Sequence, residues 1–414
     1  MTALNAEAQK RKPGSATSAA VTHPSDAGVP PIGYSTNLHA AETVTELLAE
    51  VVPAAADIRA RLGWDRLGLD LRLGFAALAG GDWSDLRRAF DRHRLSAHTL
   101  NGFPLEPFQA AVVKDAAYRP DWHDQRRLEA SLALITAALA LSDESLVTIS
   151  TVPGTFRPWG GTDPKVIAAA LGCWAAQAAR IKRDTGRTAV LALEPEPWCL
   201  LESSHDVAWF WRGPLASAGL IAATAALDGD SAAASQALVD HLGICFDTCH
   251  IAIAGEDPAV AAARMTAAGA SIVKCQVSAC PEVRSPGADS AGVAALRAMA
   301  EPRFLHQTTA LAATGSIARA LDLDGLDGLD GCLARLPQAE VVRSHFHVPL
   351  TTPEVQDGLS ATVAAARAGL NAARSHGCSH IAVETYTWPL LAADQRDIRA
   401  GTAAELRLLA QWCA

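Results

Sequence analysis

Apolar runs of strand length recur along the chain, and each ends in polar residues. They are IGYSTNLH (32–39), LGLDLRLG (67–74), LSAHTLNG (95–102), SLVTISTV (145–152), AVLALEPE (189–196), LGICFDTC (242–249), SIVKCQVS (271–278) and HIAVETYT (380–387). Between them lie longer Ala- and Leu-rich segments. One is DPKVIAAALGCWAAQAARIKRDTG, whose apolar spacing and closing Gly186 predict a helix. Strands that alternate with helices pair in parallel through right-handed crossovers. Eight such units predict a (β/α)₈ TIM barrel over residues 31–414. An open doubly wound sheet would carry a glycine-rich phosphate turn after its first strand, and NLHAAE offers none.

Two stretches break the alternation. Residues 303–350 hold RFLHQTT, the Asp/Gly run LDLDGLDGLDG and the strand-like VVRSHFHVPL, and read as an insertion before the last strand. The Asp/Gly run lacks the closing Glu and the spacing of a calcium loop, so a solvated helix and loop is expected. Residues 214–240 read as a surface helix with a loose loop. Residues 1–30 are polar, Ala- and Pro-rich, and predict a disordered tail without an apolar signal core.

Composition narrows the functional classes. The net charge is −9, with 35 Lys and Arg scattered along the chain. A net-acidic surface repels a phosphate backbone, so a nucleic-acid partner is not expected. No uninterrupted apolar stretch of about 18 residues predicts a membrane span. Nine cysteines lack a disulfide framework and suit a reducing, cytoplasmic setting.

Chemistry in such a barrel collects where strands end. His39 closes the first run, and His98 and Asn101 lie in the third. Glu194 and Glu196 close the fifth. Asp247 and His250 follow the sixth, Lys274 and Gln276 lie in the seventh, and Glu384 ends the eighth. His345 and His347 alternate in the insertion and share one face. Bland readings stand beside each. His39 equally caps a loop, His98 equally sits in the core, and Asp247 equally caps the next helix. Glu196 reads as exposed or bonded to a loop. Glu194 is harder to dismiss: it ends an apolar strand, and Pro195 and Pro197 forbid an ordinary helix start there. A desolvated carboxylate needs a cation or donors. Carboxylates and imidazoles from several strand ends suit a divalent ion, Zn²⁺, Mn²⁺, Co²⁺ or Mg²⁺.

The motifs FDTCHIAIAG, ALEPEP and VETYTW resemble the xylose-isomerase-like barrel superfamily of sugar isomerases, epimerases and endonuclease-four-type repair enzymes. The set GYSTNLHAAET, HTLNGFP, ISTVPGTF, LEPEP, RFLHQ, HFHVPL and ETYTWP is similar to the EboE family of metabolite traffic proteins. The superfamily resemblance implies metal ligands at Glu194, Asp247, Gln276 and Glu384, with Gln276 standing where histidine is usual. The repair enzymes add histidines near His98, His250 and His347 but also use one on the fourth strand, which VTISTVPG lacks, so the resemblance implies one ion, with two possible, rather than three. The EboE resemblance implies an operon that moves a prenylated or pigment precursor.

Three functions follow as expectations. The first is isomerase or epimerase chemistry on a sugar-like metabolite. Glu194, Glu384, His98 and His250 would be catalytic there, and Glu194, Asp247, Gln276, His347 and Glu384 would hold metal. His39, Asn101, Lys274, His345 and Trp388 would bind substrate. The second is a non-catalytic traffic protein, which the departure at Gln276 favours. The third is phosphodiester hydrolysis, which the net charge opposes.

Overall fold

The computed structural model describes residues 32–287, 290–325, 327–391 and 396–414. The predicted tail over 1–30 lies outside them. Seven strands come first: β1 (Ile32–Ser35), β2 (Leu67–Arg72), β3 (Leu95–Asn101), β4 (Leu146–Thr151), β5 (Thr188–Leu193), β6 (Leu242–Asp247) and β7 (Ile272–Val277). Six short strands follow: β8 (Pro281–Arg284), β9 (Thr308–Leu311), β10 (Ile317–Ala320), β11 (Val341–Ser344), β12 (Glu354–Gln356) and β13 (Leu359–Ala361). The last is β14 (His380–Val383).

The first seven strands and β14 close into a barrel in chain order, with β14 between β7 and β1. Every pairing in the barrel is parallel. This is the predicted (β/α)₈ TIM barrel. Parallel strands are covered on both sides, which is why they read in sequence as apolar runs rather than as alternations.

Helices between the strands start and stop where the sequence signals. Asp163 caps Pro164–Thr185, and Gly186 ends it at φ 73°. That helix lies so close to the segment Trp211–Gly219 that a Cβ on Gly172 would stand 2.2 Å from the Gly219 carbonyl oxygen. The predicted surface helix of 214–240 is a widened helical turn over Trp211–Gly219 running into Leu220–Ala226, then a separate helix Ser231–His241.

The insertion is larger than 303–350. Three residues after β7 the chain enters a second, antiparallel sheet of order β10-β9-β11-β8-β13-β12, which spans Pro281–Ala361. A bridge between Ala279 and Val348 ties the chain leaving β11 back to the end of β7. The described part of the Asp/Gly run forms bends that lead into helix Leu329–Arg335. Asp322 there accepts the His306 and Leu323 N–H groups and pairs with Lys114. No helix among the described residues is long and apolar enough to cross a membrane, and all nine cysteines are free thiols.

Candidate metal centre

Three carboxylates meet above the barrel. Glu194 follows β5, Asp247 ends β6 and Glu384 follows β14. Their nearest oxygens lie within 4.8 Å of one another, and all three residues are buried. Asp247 fills both roles that its position allows. Its Oδ1 accepts the Cys249 and His250 N–H groups at 2.7 and 3.0 Å and caps helix Thr248–Ile253. Its Oδ2 meets no protein donor, and neither does Oε2 of Glu194. A sealed carboxylate oxygen without a donor calls for a cation.

Gln276 joins the group differently from the expected ligand. Its Oε1 receives the Cys245 thiol at 2.8 Å. Its amide nitrogen donates to Glu194 Oε1 at 3.1 Å and also to Glu384 Oε2. The amide therefore ties two acidic ligands together. Asn37 and Asn101 donate to the other Glu384 oxygen, Oε1, at 2.7 and 3.1 Å.

Beside the carboxylates stand His250, His345, His347 and Glu196. His250 Nδ1 donates to the Pro195 carbonyl, and His347 Nδ1 to the Glu384 carbonyl, at 2.9 and 3.0 Å. His345 Nδ1 donates to Gln307 Oε1 at 2.8 Å. Gln307 is oriented in turn by its own donation to the Tyr118 hydroxyl, which donates to Glu196 Oε1. Each neutral ring thus carries its proton on Nδ1 and leaves a lone pair on Nε2. Those lone pairs converge: His250 to His345 at 3.1 Å, and His345 to His347 at 3.1 Å. Glu196 Oε2 lies 3.0 Å from His250 Nε2. A proton on Glu196 satisfies that last contact alone, whereas a cation among the rings satisfies the others. Glu196, His250 and His345 form one possible ligand group, and Asp247, His250 and His347 another.

Burial sets the electrostatics. It pushes Glu194 well above the usual carboxylate range, helped by Glu384 and Asp247. Burial lifts Asp247 to about 7 and Glu384 to about 7, and raises Glu196 as well. It holds all three histidines below the ordinary imidazole value. Both sets of groups are thereby kept from charging; a bound cation would ionise the carboxylates and hold the rings in the neutral form they already favour.

A cavity of about 60 Å³ opens onto these groups. At roughly 10–15 Å³ per water molecule, it admits a cation and a few ligand atoms. Phe108, Phe304 and Tyr386 cluster at its wall with ring centroids 4.6–5.3 Å apart. Tyr386 also stacks on His347 at 4.7 Å.

Not every predicted residue arrives. His98 is buried in the barrel beside His380, in room left by Gly33 and Gly68, where a Cβ would lie 2.5–2.6 Å from its ring. Lys274 is fully buried and pairs with Asp70 at 2.8 Å. One step earlier on the same face of β7 than Gln276, it lies a layer below the cavity. His39 lies outside the cavity lining, its Nε2 3.4 Å from the Tyr34 hydroxyl. Trp388 packs on Gly401 and donates to the Thr385 carbonyl. Asn101 holds Glu384 without lining the cavity. Asn37, Tyr118, Gln307 and Tyr386 belong to the site without having been singled out. Glu196, expected to be exposed or bonded to a loop, is 5% exposed: it accepts the Tyr118 hydroxyl from the segment after β3, and the chain leaving β11 folds over it.

No protein-family model and no curated protein matches the sequence. Solved structures are similar at low identity. A xylose isomerase-like TIM barrel protein from Mycobacterium smegmatis in complex with magnesium shares 12% identity at a TM-score of 0.48, over 94% of this chain and 99% of its own. A D-tagatose 3-epimerase-like protein shares 12% at 0.46, over 92% and 98%. The IOLI protein, with a zinc atom, shares 11% at 0.43, over 92% and 96%. The barrel itself rests on the strand pairing of this chain, which closes without reference to any of them.

Proposed function

We propose that the chain is a divalent-metal enzyme of the xylose-isomerase-like kind. In this reading it moves a proton beside a carbonyl in a small, sugar-like metabolite. The observation that carries the reading is the meeting of Glu194, Asp247 and Glu384 within 4.8 Å, two of them with an unmet oxygen. A bound cation supplies Lewis acidity toward a substrate oxygen. Glu194 and Glu384 come from separate strands to the same cavity, so one takes the proton and the other returns it. His250 steadies the neighbouring hydroxyl through Nε2. Glu196, held by Tyr118, stores a proton at Oε2. The aromatic wall keeps water from the reacting carbon. His98, on the barrel floor, has no part in this scheme.

A second reading keeps the metal and drops the turnover, a choice that the EboE resemblance leaves open. Gln276 favours it, because an amide that donates to two carboxylates is not a fourth ligand. Phosphodiester hydrolysis fits less well, since the net charge of −9 repels a phosphate backbone.

Metal analysis of the purified protein tests the shared core of both readings. At least one equivalent of a divalent ion is expected, with strong loss in Glu194→Gln and Asp247→Asn. A metal-free protein that takes up no added Zn²⁺, Mn²⁺, Co²⁺ or Mg²⁺ overturns both. Incubation with ketoses in D₂O then separates them: deuterium at the α-carbon supports the enzyme, and its absence with every metal supports the carrier.

A further inference from the structure

Two asparagines donate to the same atom, Glu384 Oε1, and they differ in what their own oxygens find. Asn101 Oδ1 accepts the Phe103 N–H at 3.0 Å and the Ser150 hydroxyl at 3.3 Å. Its hydrogen bonding is complete, and it does not line the cavity. Asn37 does line the cavity, is 2% exposed, and its Oδ1 meets no protein donor. Its amide cannot simply turn over, because the nitrogen is committed to Glu384 at 2.7 Å. Its backbone is fixed too: the Asn37 carbonyl accepts Gln109, and Gln109 accepts Arg303. A buried acceptor left unmet is destabilising and selects for a donor.

We infer that Asn37 is a substrate-positioning residue whose Oδ1 accepts a hydroxyl or amide N–H next to the metal-chelating oxygens. The inference rests on the metal-centre reading and narrows its substrate class. The preferred ligand is a polyol, hydroxy ketone or hydroxy acid with a donor beside the chelating pair. A compound that offers two chelating oxygens and nothing else leaves Asn37 unmet.

Two small chelators separate the cases. Acetohydroxamate offers two oxygens to a metal, and glycolohydroxamate adds one hydroxyl. Calorimetric titration of the Co²⁺-loaded protein is expected to show glycolohydroxamate binding tighter by about 3- to 10-fold, the worth of one hydrogen bond. In Asn37→Ala that ratio falls to about 1. In Asn101→Ala, which loses the same contact to Glu384, the ratio persists even where cobalt binds less tightly. Equal binding of the two chelators by the wild-type protein overturns the inference and leaves the metal centre standing, and that comparison needs no variant to fold. A ratio unchanged in Asn37→Ala also overturns it. Failure of both chelators to bind the loaded protein overturns the inference alone, whereas a protein that takes up no Co²⁺ removes the metal-centre reading and this inference with it.

Discussion

His250 and His345 turn their Nε2 atoms toward each other at 3.1 Å, and each has already given its Nδ1 proton to an oxygen. His347 adds a third lone pair at the same distance from His345. Burial disfavours protonating any of them. The arrangement holds acceptors against acceptors, and a cation is the partner that resolves it. Partners on the far ring nitrogens fix the tautomers before the ion arrives.

His345→Ala is therefore expected to remove metal capacity beside the three carboxylates while leaving ions bound at Glu194, Asp247 and Glu384. Gln307→Leu, which only frees the His345 ring, should weaken metal binding by about 10- to 100-fold. Metal titrations followed by elemental analysis read both. Stoichiometry and affinity equal to wild type in the two variants would show the rings to be packing alone.

The barrel floor carries a separate burden. Lys274 gives its protons to Asp70 at 2.8 Å and to Ser150 at 2.9 Å, with no exposure to solvent. Removing one member of a buried pair strands the other charge. Lys274→Met is expected to lower stability by about 3–5 kcal/mol. Adding Asp70→Asn should restore a large part of that, since the stranded charge is then gone. Urea unfolding of the single and double variants checks it, and a double variant no more stable than Lys274→Met contradicts the argument.

Much of the barrel was legible because its strands are apolar on both sides and end in polar residues. Glu194, Asp247 and Glu384 could be placed together from strand ends alone. Glu196 could not. Two prolines mark its segment as a turn, and turns usually face water. What buries it comes from the insertion, including His345, 95 residues beyond its neighbour His250. Lys274 misled for a similar reason. A cation on a strand is expected to bind substrate, but its partner Asp70 lies 204 residues away. His98 reads equally as a catalytic group or as a core histidine, because histidine at a barrel strand is chemically able to be either. Only the glycines at 33 and 68 on neighbouring strands show that its ring has been given a place in the core.

Glu405 makes stability depend on pH. Its Oε1 accepts Leu350 N–H and the Thr385 hydroxyl at 2.8 and 2.9 Å, tying the insertion to the loop after β14. Its Oε2 is buried without a partner. Burial raises this carboxyl from 4.5 to about 8. The folded protein therefore keeps a proton that the unfolded chain releases near 4.5. The stabilisation is complete below that pH and is lost as pH rises through about 8. Glu405→Gln keeps the shape and removes the titration. Wild type and variant should be similar in stability near pH 4.5, and the variant should lead by on the order of a few kcal/mol above pH 8. Asp247 and Glu384 titrate in both proteins and cancel in the difference. Parallel stability curves across that window would contradict the assignment.

Gln276 offers the sharpest test of where the first ion sits. It pairs in register with Asp247 on β6 and with Ala382 on β14, so its side chain enters between the two ligand-bearing strands. As an amide it bridges Glu194 and Glu384 by donating to both. Gln276→His exchanges those donors for an imidazole nitrogen aimed at the same space. Zinc prefers nitrogen to an amide oxygen and is commonly held by four ligands. The variant is expected to bind zinc about 10-fold tighter or more, with a smaller gain for magnesium, which favours oxygen. Competition against a chelating dye measures both. If neither Gln276→His nor Glu194→Gln changes zinc affinity, the ion lies away from both residues. The ring nitrogens of His250, His345 and His347 would then be its seat.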